Sequence, residues 1–157
     1  MKNIVQSEGI ERALSVYVPA RMEEVHWAGK TVILDGSHNE QKILALVEAV
    51  KKKYVDQTIV LLVSFGGNKT ASLEDNLNLL RSISSHIIVT KFHLGQDEIR
   101  KPIDTSVIGQ VAEQLGFLTE IEDDPRRAFE LALKQTEQIV LVTGSFYLLN
   151  HIRPIVR

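Results

Sequence analysis

The sequence predicts an α/β domain: a Rossmann-like, mixed and mostly parallel sheet with helices on both faces and one antiparallel hairpin at its edge. Three observations carry this. Short β-branched runs alternate with amphipathic helical stretches, the pattern of βαβ units. The main runs are almost continuously apolar and end in a polar residue, as in strands covered on both faces. A tight turn joins two runs near the amino terminus, and a tight turn permits only antiparallel pairing.

Residues 1–20 are a lead-in segment with a short helix around Ser7–Val16. Met22–Trp27 (MEEVHW) is the extra strand, and the turn Ala28-Gly29-Lys30 returns it to Thr31. The core strands are Thr31–Asp35, Thr58–Ser64, His86–Thr90 and Ile139–Thr143, with a weaker one over Phe117–Ile121. Ile43, Leu46, Val47 and Val50 recur at helical spacing, so one stripe of the first helix faces a core. Leu73, Leu77, Leu80 and Ile83 mark the second helix, and Val107, Ile108, Val111 and Leu115 the third. Asp124-Pro125 opens the fourth as an N-cap acceptor followed by proline, with Phe129, Leu131 and Ala132 turned inward. A short last helix begins near Ser145.

The 157 residues fit one domain, 1–157, without repeat or interdomain linker. With 44% hydrophobic and 24% charged residues the chain reads as soluble and globular. A net charge of −2 without a run of one sign argues against nucleic-acid backbone binding. The absence of cysteine removes disulfide and thiolate chemistry and fits a cytoplasmic protein. No stretch approaches the roughly 20 apolar residues that span a membrane, and MKNIVQSEGIERAL has no signal-peptide core.

In open α/β sheets ligands bind beyond the carboxyl ends of the strands. Three segments there hold candidate chemistry. Asp35-Gly36-Ser37-His38-Asn39 puts a carboxylate, an imidazole and an amide at a helix start. Ser37 and Glu40 have capping-box spacing. Asp35 and Asn39 either serve a ligand or satisfy the turn. Ser64-Phe65-Gly66-Gly67-Asn68-Lys69-Thr70 is either a phosphate loop, though not of Walker type, or a glycine loop capped by Thr70 or Ser72. Thr143-Gly144-Ser145-Phe146-Tyr147 offers a hydroxyl and backbone N–H groups to an anion. His26, His86, His93 and His151 show no metal-ligand spacing and read as surface or strand histidines. Asp35 and His38 could share a metal, but no third ligand is evident. Arg100 and Lys101 fall in a loop after His86–Thr90, as solvated surface charges or, for Arg100, as an active-site arginine.

In order and spacing, several stretches resemble the carboxy-terminal domain of folylpolyglutamate synthases, relatives of the Mur ligases of cell-wall synthesis. They are Pro19-Ala20-Arg21-Met22-Glu23, VILDGSHN (Val32–Asn39), the FGGNK loop, Arg100, and VTGSFYLL (Val142–Leu149). The family versions run P-G-R, L-D-G-A-H-N, a glycine loop with D-K-D, and T-G-S-x-Y. Here Ala20, Ser37, Asn68 and Thr70 depart from them. The resemblance implies ATP-dependent addition of glutamate to the γ-carboxylate of a folate through an acyl phosphate. ATP and magnesium would be held mainly by an amino-terminal P-loop domain, whose loop this sequence lacks, with no metal ligand in this chain. It implies ATP contacts by Arg21 and Asp35, glutamate contacts by His38, Arg100 and Ser145, and a loop contact by Lys69. Arg21 and Asp35 sit at a loop and a strand end, where truncation should cost little folding. The alternatives are a Mur-type domain acting on cell-wall precursors and a non-catalytic α/β binding module.

Overall fold

The computed structural model describes residues 21–94 and 101–157. The predicted lead-in helix at Ser7–Val16 and Arg100 lie outside the described residues. Among the described residues six strands form one sheet: β1 (Glu23–Trp27), β2 (Lys30–Leu34), β3 (Ile59–Val63), β4 (His86–Val89), β5 (Leu118–Ile121) and β6 (Ile139–Thr143). Their spatial order is β1-β2-β6-β3-β4-β5. Only β1–β2 is antiparallel; the other four neighbouring pairs are parallel. The hairpin register pairs Trp27 with Lys30 across two residues of positive φ, Ala28 at 51° and Gly29 at 77°. Such a two-residue turn matches the twist of its strands.

Among the described residues five α-helices cover the sheet: α1 (Glu40–Lys53), α2 (Leu73–Arg81), α3 (Thr105–Gln114), α4 (Pro125–Leu133) and α5 (Phe146–Ile152), with a 3-10 turn at Gly67–Ser72. Alternate strand residues feed two cores, because successive side chains point to opposite faces. Ile33, Leu61, Val63, Ile87 and Leu141 pack under α1, α2 and α3. Val32, Leu34, Leu62, Ile88 and Val140 pack under α4 and α5. Burial on both sides is why these runs carry no polar alternation. No helix among the described residues is long and apolar enough to cross a membrane.

Four local expectations are corrected. The cap of α1 is Asn39, whose side chain accepts from Lys42 N, and not Ser37. The Ser37 hydroxyl instead donates to the Asp35 carboxylate. Val107 is 41% exposed; the buried stripe of α3 is Thr105, Ile108, Gly109 and Ala112, one position round the helix. Ile83 lies past the end of α2 and is only partly buried. Thr70 and Ser72 do not cap as acceptors: their hydroxyls donate to the carbonyls of Gly67 and Lys69.

Candidate functional site

The carboxyl ends of β2, β3, β4 and β6 deliver four loops to one edge of the molecule. Gly144 ties two of these loops together. Its N–H donates to the Ser37 carbonyl at 3.0 Å, and at φ 99° it lies so close to β3 that a Cβ would fall 2.5 Å from the Ser64 carbonyl oxygen. The glycine loop is tied on its other side. Gly67 N–H donates to the Lys101 carbonyl at 2.7 Å, and Ile103 N–H to the Phe65 carbonyl at 2.8 Å.

Between these loops lies a cleft of about 370 Å³, lined by His38, Asn68, Lys69, Phe92, Ser145 and Tyr147 among others. No carboxylate among the described residues lines it, so its polar half favours an anion. Ser145 caps α5 by accepting the Tyr147 N–H at 3.1 Å, which leaves its own hydroxyl proton for a ligand. His38 Nδ1 sits 3.2 Å from the Gly36 carbonyl. A carbonyl only accepts, so that bond requires a proton on Nδ1, and the neutral ring keeps Nε2 as an acceptor.

A second depression, about 530 Å³, is lined by Arg21, Met22, Asp35, Ser37, Lys42 and Leu46. Asp35 is 3% exposed. One of its oxygens accepts the Met22 N–H at 2.9 Å. The other accepts the N–H and the hydroxyl of Ser37. Asp35 is therefore structural as well as available, and the expectation that its truncation costs little folding is corrected. The Phe146 ring stands between the two hollows. The Arg21 guanidinium and the His38 ring each lie 5.9 Å from its centroid.

A sequence profile described as Mur ligase, glutamate ligase domain, matches residues 20–146. The chain belongs to that family. It is similar to the dihydrofolate synthase/folylpolyglutamate synthase of Bacillus subtilis (strain 168), 29% identical over 136 residues, covering 86% of this chain and 30% of that protein. The folylpolyglutamate synthase of Thermotoga maritima aligns with a TM-score of 0.76 and 27% identity, over 95% of this chain and 33% of that one. A bifunctional folylpolyglutamate synthase/dihydrofolate synthase from Yersinia pestis, complexed with AMPPNP and a Mn ion, has a TM-score of 0.73 at 16% identity. That alignment covers 90% of this chain and 32% of that one, and it speaks for the fold alone. The chain spans about a third of the length of these relatives.

In this Mur ligase glutamate ligase domain, His38, Lys69 and Ser145 meet in one cleft, while Arg21 and Asp35 line the other hollow. Sequence reasoning did not single out Phe92, Phe146 and Asn150, which also line the cleft. Phe146 occupies the unspecified position of T-G-S-x-Y, and Phe92 lies beyond β4 with no motif to mark it. His86 belongs elsewhere. It opens β4, at the far end of the strand from the cleft, with Glu137 at 2.7 Å and Glu120 at 2.6 Å from its two ring nitrogens.

Proposed function

We propose that this chain is the carboxy-terminal wall of a cytoplasmic folylpolyglutamate synthase, an ATP-dependent ligase that adds L-glutamate to the γ-carboxylate of a folate through an acyl phosphate. The observation that supports it is the meeting of His38, Lys69 and Ser145 in a cleft without a carboxylate among its described lining residues. A glutamate carboxylate can take the Lys69 charge and the Ser145 hydroxyl. The amine nitrogen attacks the acyl carbon, the carbon–oxygen bond to phosphate breaks, and the amine sheds a proton. The Nε2 lone pair of His38 is a suitable acceptor for that proton. The described lining residues offer an ammonium ion no counter-charge, which favours the neutral nucleophile. Arg100 completes the glutamate contacts in this reading.

The hollow beside Asp35 suits the non-phosphate end of a nucleotide. Arg21 is exposed there, and Asp35 Oδ2, which accepts the Met22 N–H, has a second lone pair for a ribose hydroxyl. Phosphates and magnesium fall to the amino-terminal P-loop partner domain. Among the described residues no three His, Asp or Glu side chains are grouped to hold an ion.

Titrating the ¹⁵N-labelled chain with L-glutamate and with ATP tests the reading. Glutamate should shift resonances of His38, Lys69 and Ser145, and ATP should not be turned over. Steady ATP hydrolysis by this chain alone, or glutamate shifts elsewhere, would overturn it.

A further inference from the structure

The segment that leaves β4 docks on α5 through two consecutive residues. Phe92 is 2% exposed, and its ring lies 5.2 Å from that of Tyr147, centroid to centroid. The backbone of His93 meets His151, whose Nε2 sits 2.9 Å from the His93 nitrogen and 3.1 Å from its carbonyl oxygen. Tyr147 and His151 are four residues apart on α5, so they share one face of the helix. One imidazole nitrogen cannot serve both backbone groups in the same way. Without a proton Nε2 accepts the His93 N–H; with one it donates to the carbonyl. The two groups belong to different planar peptide units. The N–H lies in the unit that joins Phe92 to His93, and the carbonyl in the unit that leads on to Leu94. The proton on Nε2 therefore decides which unit the helix holds.

We propose that His151 is a positioning residue of the cleft wall, acting through the His93 backbone, and that protonation of Nε2 moves its hold from the peptide unit carrying Phe92 to the next one. Phe92, Tyr147 and Asn150 all line the cleft, so the neutral ring sets that wall firm and the charged ring eases it. The charged and titratable groups that act on the His151 ring are His93 on the facing loop and Asp124 and Arg126 at the start of α4. Burial, with His93 and Arg126, outweighs the His93 carbonyl and Asp124 and lowers the His151 pKa. The neutral hold therefore persists down to the ordinary histidine value of about 6.5 and gives way below it. The inference does not depend on what occupies the cleft.

A pH titration of the full ¹⁵N-labelled chain tests this. At about pH 8 the neutral His151 ring should carry its proton on Nδ1, read from its nitrogen shifts, with Nε2 as acceptor. As pH falls, the His93 amide proton should move upfield with the midpoint of the His151 ring, below about 6.5. The Tyr147 ring signals should follow the same midpoint. His151→Gln has a carboxamide that contacts the backbone without titrating, and it should abolish the movement of the His93 amide. His93→Gln keeps the backbone groups and removes the neighbouring imidazole, and it should preserve that movement. A dispersed spectrum shows that each variant is folded, and the proton position in the unsubstituted chain needs no variant at all. A proton on Nε2 at about pH 8 would overturn the inference. So would a His93 amide or Tyr147 ring that ignores the His151 titration, or an unchanged titration in His151→Gln.

Discussion

The carboxylate of Asp35 reaches back thirteen residues to accept the backbone N–H of Met22 at 2.9 Å. Met22 has φ 48°, an uncommon value for a residue with a side chain. The carboxylate fixes this bend and, through Ser37, the turn that leads to His38. Asp35→Asn replaces one accepting oxygen with a donor facing a donor. We expect a loss of about 1–3 kcal/mol in urea denaturation, with faster exchange of the Met22 and Ser37 amide protons. Unchanged stability would mean that these bonds do not hold the turn.

His86 makes the fold sensitive to pH. Burial pulls its imidazole toward the neutral form, but the hydrogen bonds and charges of Glu120 and Glu137 outweigh it, and the pKa is raised. A raised folded value stabilises the native state fully below the ordinary histidine value of about 6.5. That contribution is lost as pH rises through the folded value. The urea midpoint should therefore fall as pH climbs above neutrality, and Glu137→Gln should flatten the slope. A wild-type midpoint that rises or stays level there would contradict the sign.

Gly144 bears two constraints at once. Its φ of 99° disfavours any side chain, and an added Cβ meets the Ser64 backbone carbonyl. Backbone cannot rotate aside as a long side chain can. Gly144→Ala should cost more than the roughly 1–2 kcal/mol of left-handed backbone alone. It should also disturb the Ser145 cap, read out as a lower thermal midpoint together with weakened glutamate binding. Full retention of both would mean that β6 and β3 can part at this point.

Asn39 supplies the α1 cap through Lys42 N at 2.9 Å. Asn39→Ala should lose about 0.5–2 kcal/mol, whereas Ser37→Ala should leave the helix start in place while loosening Asp35. Chemical denaturation with circular dichroism separates the two effects.

The sheet was legible because burial on both faces leaves its mark on every residue of a strand. Val60–Val63 is fully buried, and its apolar run says so without reference to distant parts of the chain. The hairpin was legible because only a tight turn could join its strands in the residues available. Helix faces were less so. Val107 is as apolar as Ile108, and which of them is covered depends on where Thr119 and Ile121 of the edge strand lie against Gly109. The cleft was legible where motifs ended strands, at His38, Lys69 and Ser145. Phe92 enters it from a segment with no motif, and Asn150 from one residue past the VTGSFYLL stretch. His86 read as an ordinary strand histidine because its partners, Glu120 and Glu137, are 34 and 51 residues away in sequence.

Phe146 rests on Gly36 so closely that any Cβ there would overlap its ring. The first residue of α5 and the turn after β2 therefore share a single allotment of space. A bulkier residue at 36 fits only if the half-exposed ring of 146 swings away or the residue there shrinks. The two positions should drift as a coupled pair. Because Arg21 and His38 both abut the ring, each exchange would reshape two hollows in one step.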